Sequence, residues 1–199
     1  MILEKLNRYK LPIVLIIAIV ARLGILFAFP SVFAVSNEGA EIHGSVAYDE
    51  YAQNLLTTGV YGRKTEIIDL IRPPFYSYFN NRDFQFLRVV APDSILPPLY
   101  SYVLAGVYAL FGRSYIAVGV LHTLLDALSI ALLYDIAQRL FRQKLTEHNT
   151  WGEWIGVLSG LFFALYPYLI FQNLTLIDTP LWITILHLWV WLMILLREQ

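Results

Sequence analysis

Four long runs of apolar residues constrain this chain more than any other feature. A soluble domain holds roughly 45–50% apolar and about 25% charged residues, whereas this chain holds 58% and 15%. A helix crosses a bilayer with about 20 mostly apolar residues. We therefore expect an all-α integral membrane protein with four transmembrane helices, at residues 11–29, 114–137, 154–174 and 180–196. Pro167 is expected to bend the third helix.

Basic residues indicate the orientation of these helices. Arg139, Arg142 and Lys144 follow the second run, and short cytoplasmic loops carry an excess of Lys and Arg. They lie inside if the short apolar stretch 97–111 lies along the outer surface instead of crossing the bilayer. We therefore expect the long first loop, residues 30–113, on the extracytoplasmic face.

This loop is predicted to carry two amphipathic surface helices. Residues 46–58 place apolar or aromatic side chains on one helical face, and Gly59 suits the position just after the last turn. Residues 97–111 begin with prolines and stop before a glycine, and they are too few for a comfortable span. The sequence thus predicts one transmembrane module, residues 1–199, with a structured loop.

Carboxylates near the outer ends of the spans are the candidate catalytic groups. Asp49 and Glu50 fall in the predicted first turn of the helix 46–58, and Asp178 directly precedes the fourth span. A carboxylate can act as a general base or bind a metal through its oxygens. A structural interpretation competes at all three positions, because acidic side chains also stabilise the start of a helix.

The ionisable residues inside the predicted spans include Arg22, His122 and Asp126. Such residues are costly in a membrane and face the bundle interior or a cavity. His122 and Asp126 are four residues apart and so share one helix face. We expect Arg22 to pair with them in a packing cluster; contact with a lipid phosphate is the alternative.

The loop arginines Arg72, Arg82 and Arg88 are suited to hold phosphate, because a guanidinium group matches its oxygens. Ordinary solvation explains any one of them equally well. The chain has no cysteine, and its four histidines are scattered, so their spacing predicts no thiolate or histidine metal site. A net charge of −1 gives no indication of nucleic-acid binding.

Several short motifs follow one another in an order that is typical of one enzyme family. They are Asp-Glu-Tyr-Ala at 49–52, Pro-Pro-Leu-Tyr at 97–100, Phe-Gly at 111–112 and Arg-Leu-Phe at 139–141. With these motifs the chain resembles the N-terminal part of the GT-C membrane glycosyltransferases, in particular the protein O-mannosyltransferases and the lipid A aminoarabinose transferase. The resemblance covers nearly all of this chain and less than half of a typical member. Leu96 departs from it, because the aminoarabinose branch carries a basic residue before its proline segment.

The resemblance implies an enzyme of the prokaryotic cytoplasmic membrane that moves a sugar from a polyprenyl-phosphate donor to an extracytoplasmic acceptor. Asp49 would be the general base, with Glu50 beside it, and Asp178 would lie near the donor lipid. Asp49 and Asp178 are expected to line one cavity, and they would be the ligands if the reaction uses a divalent metal.

The expected partners are membrane lipids, the polyprenyl-phosphate sugar and a second polypeptide that supplies further spans. Two other classes of function stay open. One is a non-catalytic membrane subunit or degenerate relative of such enzymes, which the short chain favours. The other is a component of a lipid or sugar-lipid transporter, which the charged residues inside the spans would suit.

Overall fold

The computed structural model describes residues 2–29, 45–66, 88–142 and 151–198, and their side chains in 9–29, 47–64, 89–141 and 151–198. These residues are mostly helical, as predicted. The chain divides into two compact units, the first formed by Met1–Ala40 with Tyr115–Gln199 and the second by Glu41–Ser114. The single module expected from the sequence stays a prediction.

Helices of the first unit are α1 (Ile2–Ala28), α4 (Tyr115–Arg142), α5 (Trp151–Leu165), α6 (Pro167–Gln172) and α7 (Thr179–Glu198). The second unit holds α2 (Ser45–Thr58), α3 (Pro98–Phe111) and the strands β1 (Gly62–Glu66) and β2 (Arg88–Pro92). Within the described residues, three stretches are long and apolar enough to cross a membrane: Tyr9–Ala28, Tyr115–Phe141 and Thr179–Glu198. They coincide with three of the four predicted spans.

The remaining predicted span, 154–174, is broken. Helix α5 ends at Leu165, Tyr166 is extended (φ −65°, ψ 115°), and Pro167 opens α6. Proline has no N–H to donate and disfavours the helical conformation in the residue before it. The prediction of one bent helix is therefore wrong, because the chain leaves the helical conformation for one residue.

Helix α1 runs antiparallel to α4 in the first unit. Arg22 Nε donates to Asp126 Oδ2 at 2.6 Å. Near the end of α1, Leu26 lies against Gly119 of α4: a Cβ added at Gly119 would be 2.6 Å from Leu26 Cδ1. Residue numbers thus rise along α1 as they fall along α4, so the chain leaves one helix and enters the other at the same end of the bundle.

Helices α4 and α7 run in the same direction. The Ser129 and Thr184 hydroxyls are 3.0 Å apart, and Arg139 forms an ion pair with Glu198 at 2.5 Å. Because both helices run the same way, α5 and α6 together must return the chain from one end of the unit to the other.

Glycines on α5 allow it to approach α4 closely. Gly152, Gly156 and Gly160 are spaced four residues apart, and a Cβ at Gly156 would lie 2.9 Å from Tyr134 Cδ2. Small residues at this spacing permit close helix packing in membranes, where there is no hydrophobic drive between helices. The core beside this contact is a cluster from α1, α4 and α5: Val14, Ala18, Ile130, Tyr134, Val157, Phe163 and Ala164.

In the second unit, α2 packs against α3 through aromatic rings. Tyr48 and Tyr100 meet edge to face with ring centroids 4.9 Å apart. Gly59 follows α2 at φ 71°, a conformation that costs glycine little, so its predicted role after the last turn is confirmed. Both helices lie within a residue of their predicted bounds.

A two-stranded antiparallel sheet is the exception to the all-α prediction. In its register, Gly62 of β1 faces Pro92 of β2 and Thr65 faces Val89. A Cβ at Gly62 would lie 1.7 Å from the Ala91 carbonyl oxygen, so only glycine permits this approach.

Candidate functional site

Asp49 is a nearly buried carboxylate, 6% exposed, at the interface of α2 and α3. Tyr108 Oη donates to its Oδ1 at 2.7 Å, and Gln53 Nε2 donates to its Oδ2 at 2.7 Å. Arg113 donates from Nε to Oδ1 at 3.2 Å and from Nη2 to Oδ2 at 2.5 Å. Asp49 therefore accepts more hydrogen bonds than any other acidic side chain in the described part of the second unit.

Three local features place these donors. Gln53 is four residues after Asp49 and therefore lies on the same face of α2. Tyr108 is buried on the face of α3 that packs against α2. Arg113 follows Gly112, whose φ of 69° turns the chain out of α3.

The donors use the whole acceptor capacity of the carboxylate. An ionised carboxylate has about four lone-pair sites, and each Asp49 oxygen accepts two hydrogen bonds here. The contact with Arg113 is the fork-to-fork type that stabilises a negative charge. Asp49 in this arrangement is held in a fixed orientation, and no acceptor site is left for an incoming proton.

The predicted placement of Asp49 and Glu50 in the first turn of their helix is wrong. Helix α2 begins at Ser45 and has no acidic residue in its first turn. The dipole of the helix falls off within that turn, so it does not account for these acids. Glu50 instead anchors the strand β1, because its Oε1 accepts the backbone N–H of Lys64 at 2.8 Å.

A second carboxylate, Asp93, holds the residues around the sheet. Its Oδ2 accepts Tyr51 Oη at 2.6 Å and Arg63 Nε at 2.9 Å, and its Oδ1 accepts the backbone N–H of Ile95 at 2.8 Å. The hydrogen bond from Tyr51, helped by those from Ile95 and Arg63, lowers the pKa of Asp93. Burial, together with the negative charge of Asp93, raises the pKa of the Tyr51 phenol.

Asp178 lies in the first unit, immediately before α7. Its backbone carbonyl accepts the N–H of Trp182 at 3.1 Å, and its Oδ2 accepts Trp182 Nε1 at 3.0 Å. These contacts fit the structural interpretation, in which Asp178 starts the last helix. The cavity expected to be shared by Asp49 and Asp178 stays a prediction.

Arg72 and Arg82 lie outside the described residues. Arg88 opens β2, and the structure describes its backbone but not its side chain. Among the residues that are described, no group of three or more His, Asp or Glu side chains could hold a metal ion.

The predicted pairing of Arg22 with Asp126 is confirmed, at 2.6 Å and with both side chains buried. Arg22 also donates to the carbonyls of Ala164 at 2.9 Å and Phe163 at 3.2 Å. Carbonyls in the last turn of a helix have no partner within it, and Pro167 supplies no N–H to Phe163. Arg22 thus caps the broken end of α5, and Asp126 neutralises its charge.

Sequence reasoning missed Tyr108, Gln53 and Arg113 as partners of Asp49. Gln53 could have been found from its spacing of four residues from Asp49. Arg113 is 64 residues from Asp49 in the chain, so no local pattern joins them.

The chain matches no protein-family model, no curated protein and no solved structure. Its resemblance to the GT-C glycosyltransferases stays a prediction drawn from the sequence motifs.

Proposed function

We propose that this protein is a membrane glycosyltransferase, or the N-terminal catalytic module of one. It transfers a sugar from a polyprenyl-phosphate donor to an extracytoplasmic acceptor, with Asp49 as general base. The observation that carries the proposal is the buried, oriented carboxylate of Asp49, which lies outside the candidate spans and carries a paired arginine. The sequence motifs supply the class of reaction.

The proposed step is a single displacement at the anomeric carbon. The oxygen of the acceptor hydroxyl forms a bond to that carbon while the bond from the carbon to the phosphate oxygen breaks. The lipid phosphate leaves with the electron pair, and the hydroxyl proton passes to Asp49. A cationic side chain near the leaving phosphate lowers the barrier by stabilising its charge.

We further propose that the chain crosses the cytoplasmic membrane four times, through α1, α4, the pair α5–α6 and α7. The antiparallel arrangement of α1 and α4 supports this, because it requires an even number of crossings between them. The parallel arrangement of α4 and α7 supports a return through α5 and α6. The excess of basic residues then places the loop that follows α4 inside and residues 30–113 outside.

The test compares Asp49→Asn with Tyr108→Phe. Both variants weaken the hydrogen bonds around position 49, and each should lower stability by about 1–3 kcal/mol. Only Asp49→Asn removes the base, which should reduce transfer by about a hundredfold or more. Tyr108→Phe keeps the carboxylate and should keep most of the transfer.

Transfer is measured in membranes from expressing cells, supplied with polyprenyl-phosphate hexoses, as release of polyprenyl phosphate. Melting temperatures of the purified variants measure their stability. If Asp49→Asn transfers sugar as well as Tyr108→Phe does, Asp49 is not the base.

A non-catalytic membrane subunit is the second candidate, and one observation favours it: all acceptor sites of Asp49 are already used. A purely structural carboxylate would have this arrangement. In that case the two variants would affect activity only in proportion to their loss of stability. A transporter component has less support, because the capping of α5 accounts for Arg22 and Asp126 without a transported ligand.

A further inference from the structure

A general base needs a vacant lone pair, and Asp49 has none in this arrangement. One of its donors must therefore leave before the carboxylate can accept a proton. Gln53 and Tyr108 lie on α2 and α3, which pack against each other, and Tyr108 is 5% exposed. Moving the Tyr108 ring would disturb that packing, whereas the half-buried Gln53 would vacate a site on one oxygen of Asp49 only.

Arg113 is the donor with room to move. Its side chain is 43% exposed, and it lies beyond the end of α3, after the turn at Gly112. Water can solvate a guanidinium group that turns outward from such a position, so breaking a pair of this kind is inexpensive. Its departure would vacate one acceptor site on each oxygen of Asp49.

We infer that Arg113 is a positioning residue that exchanges its partner, from the carboxylate of Asp49 to the lipid phosphate, which is a diester in the donor and a monoester once the sugar has left. This inference rests on the proposed function and names what prepares the base. The planar guanidinium group binds either anion through the same paired hydrogen bonds. As Arg113 moves to the phosphate, it vacates one acceptor site on each oxygen of Asp49, and an acceptor hydroxyl can then reach the carboxylate.

Partner exchange has an unusual consequence for binding. In the wild type, phosphate competes with Asp49 for Arg113, so the ion pair opposes phosphate binding. Asp49→Asn removes this competitor, and the affinity for the phosphate should rise by about two- to fivefold, the factor that a partly exposed ion pair supplies. Arg113→Gln removes the binding group, and affinity should fall about tenfold or more.

The experiment measures binding of farnesyl phosphate to the purified full chain in detergent by calorimetric titration. Inorganic phosphate and farnesol are tested separately, to distinguish a lipid phosphate from free phosphate and from the apolar tail alone. The double variant Asp49→Asn/Arg113→Gln should bind as weakly as Arg113→Gln. Binding does not depend on turnover, so it separates this inference from the proposed transfer reaction.

Arg63 is the matched control in the same unit. Its side chain is 45% exposed and pairs with an aspartate, Asp93, at 2.9 Å. Arg63→Gln and Asp93→Asn should leave the affinity for farnesyl phosphate unchanged. An equal loss of affinity in Arg63→Gln and Arg113→Gln would mean that the phosphate meets only general positive charge, and would overturn the inference.

Two further results would overturn it. One is an affinity for farnesyl phosphate in Asp49→Asn equal to or below that of the wild type. The other is unchanged binding in Arg113→Gln. If Arg113→Gln does not fold, the result for Asp49→Asn decides alone, because unfolding cannot increase a specific affinity. Binding of inorganic phosphate equal to that of farnesyl phosphate would support the exchange and assign it to free phosphate.

Discussion

Replacing Asp126 by Asn should destabilise the first unit strongly, because it leaves the charge of Arg22 without a counter-ion. The Arg22 side chain is 0% exposed and the Asp126 side chain is 2% exposed. Removing one partner of a buried ion pair typically costs about 3–5 kcal/mol. A chain of this size loses about 2–4 °C of melting temperature per kcal/mol. We therefore expect a fall of about 6 °C or more.

The control is Asp135→Asn on the same helix. Asp135 pairs with Arg139 four residues away, both side chains are about a third exposed, and Asp135 Oδ2 also accepts Trp191 Nε1 at 2.7 Å. Asn at position 135 keeps an amide oxygen that can accept this bond, so the substitution removes the ion pair. Pairs of this kind contribute about 0.3–0.5 kcal/mol, so the melting temperature should change by no more than about 2 °C. Melting is followed by tryptophan fluorescence of the purified protein in detergent, under the same conditions for each variant.

A second substitution tests whether Arg22 caps α5. Arg22→Met removes the donors to the carbonyls of Phe163 and Ala164 as well as the ion pair. Pro167→Ala restores an N–H that can reach Phe163, so Arg22→Met should cost less in that background. If Asp126→Asn has the same melting temperature as the wild type, the ion pair does not stabilise the first unit. If Pro167→Ala leaves the effect of Arg22→Met unchanged, Arg22 does not cap α5.

Two further predictions concern pH and orientation. The pKa of Asp93 is lowered in the folded protein, so its stabilising effect is complete above the unfolded value of about 3.9 and is lost as pH falls through that value towards the folded one. Melting temperature measured from pH 7 to pH 3 should therefore fall more steeply in the wild type than in Asp93→Asn; equal slopes would contradict this. The chain has no cysteine, so Leu145→Cys should resist an impermeant thiol reagent added to intact cells, whereas Ser94→Cys should react; efficient labelling at position 145 would overturn the proposed orientation.

Local signals predicted the helices of the second unit because their ends are fixed locally. The glycines at 59 and 112 have positive φ, and proline at position 98 opens α3. The pairing of Arg22 with Asp126 was predictable for a different reason. A charge inside a span requires a partner, and few candidates were available.

Non-local contacts determined what the sequence did not reveal. The two strands are separated by 21 residues, and β1 reads Gly-Arg-Lys-Thr-Glu, which lacks the alternating pattern of a half-buried strand. The sheet instead forms around a close approach of Gly62 to Ala91. The sequence predicted that Pro167 bends one helix, whereas in the structure the helix ends at Leu165 and a new one begins at Pro167. A break leaves carbonyls without partners in the helix, and among the described residues the distant Arg22 donates to two of them, Phe163 and Ala164.

Two of the arginine–aspartate pairs in the described residues have the same chemistry but differ in how easily they can separate. Arg22 is fully buried against Asp126, so separating them strands a charge and costs several kcal/mol. Arg113 is 43% exposed against Asp49, so water compensates for most of what the guanidinium group loses on leaving. The first pair could be predicted from the sequence because both charged residues lie inside predicted spans. The exposure of the cation, which only the fold determines, makes the second pair the one that can separate at little cost.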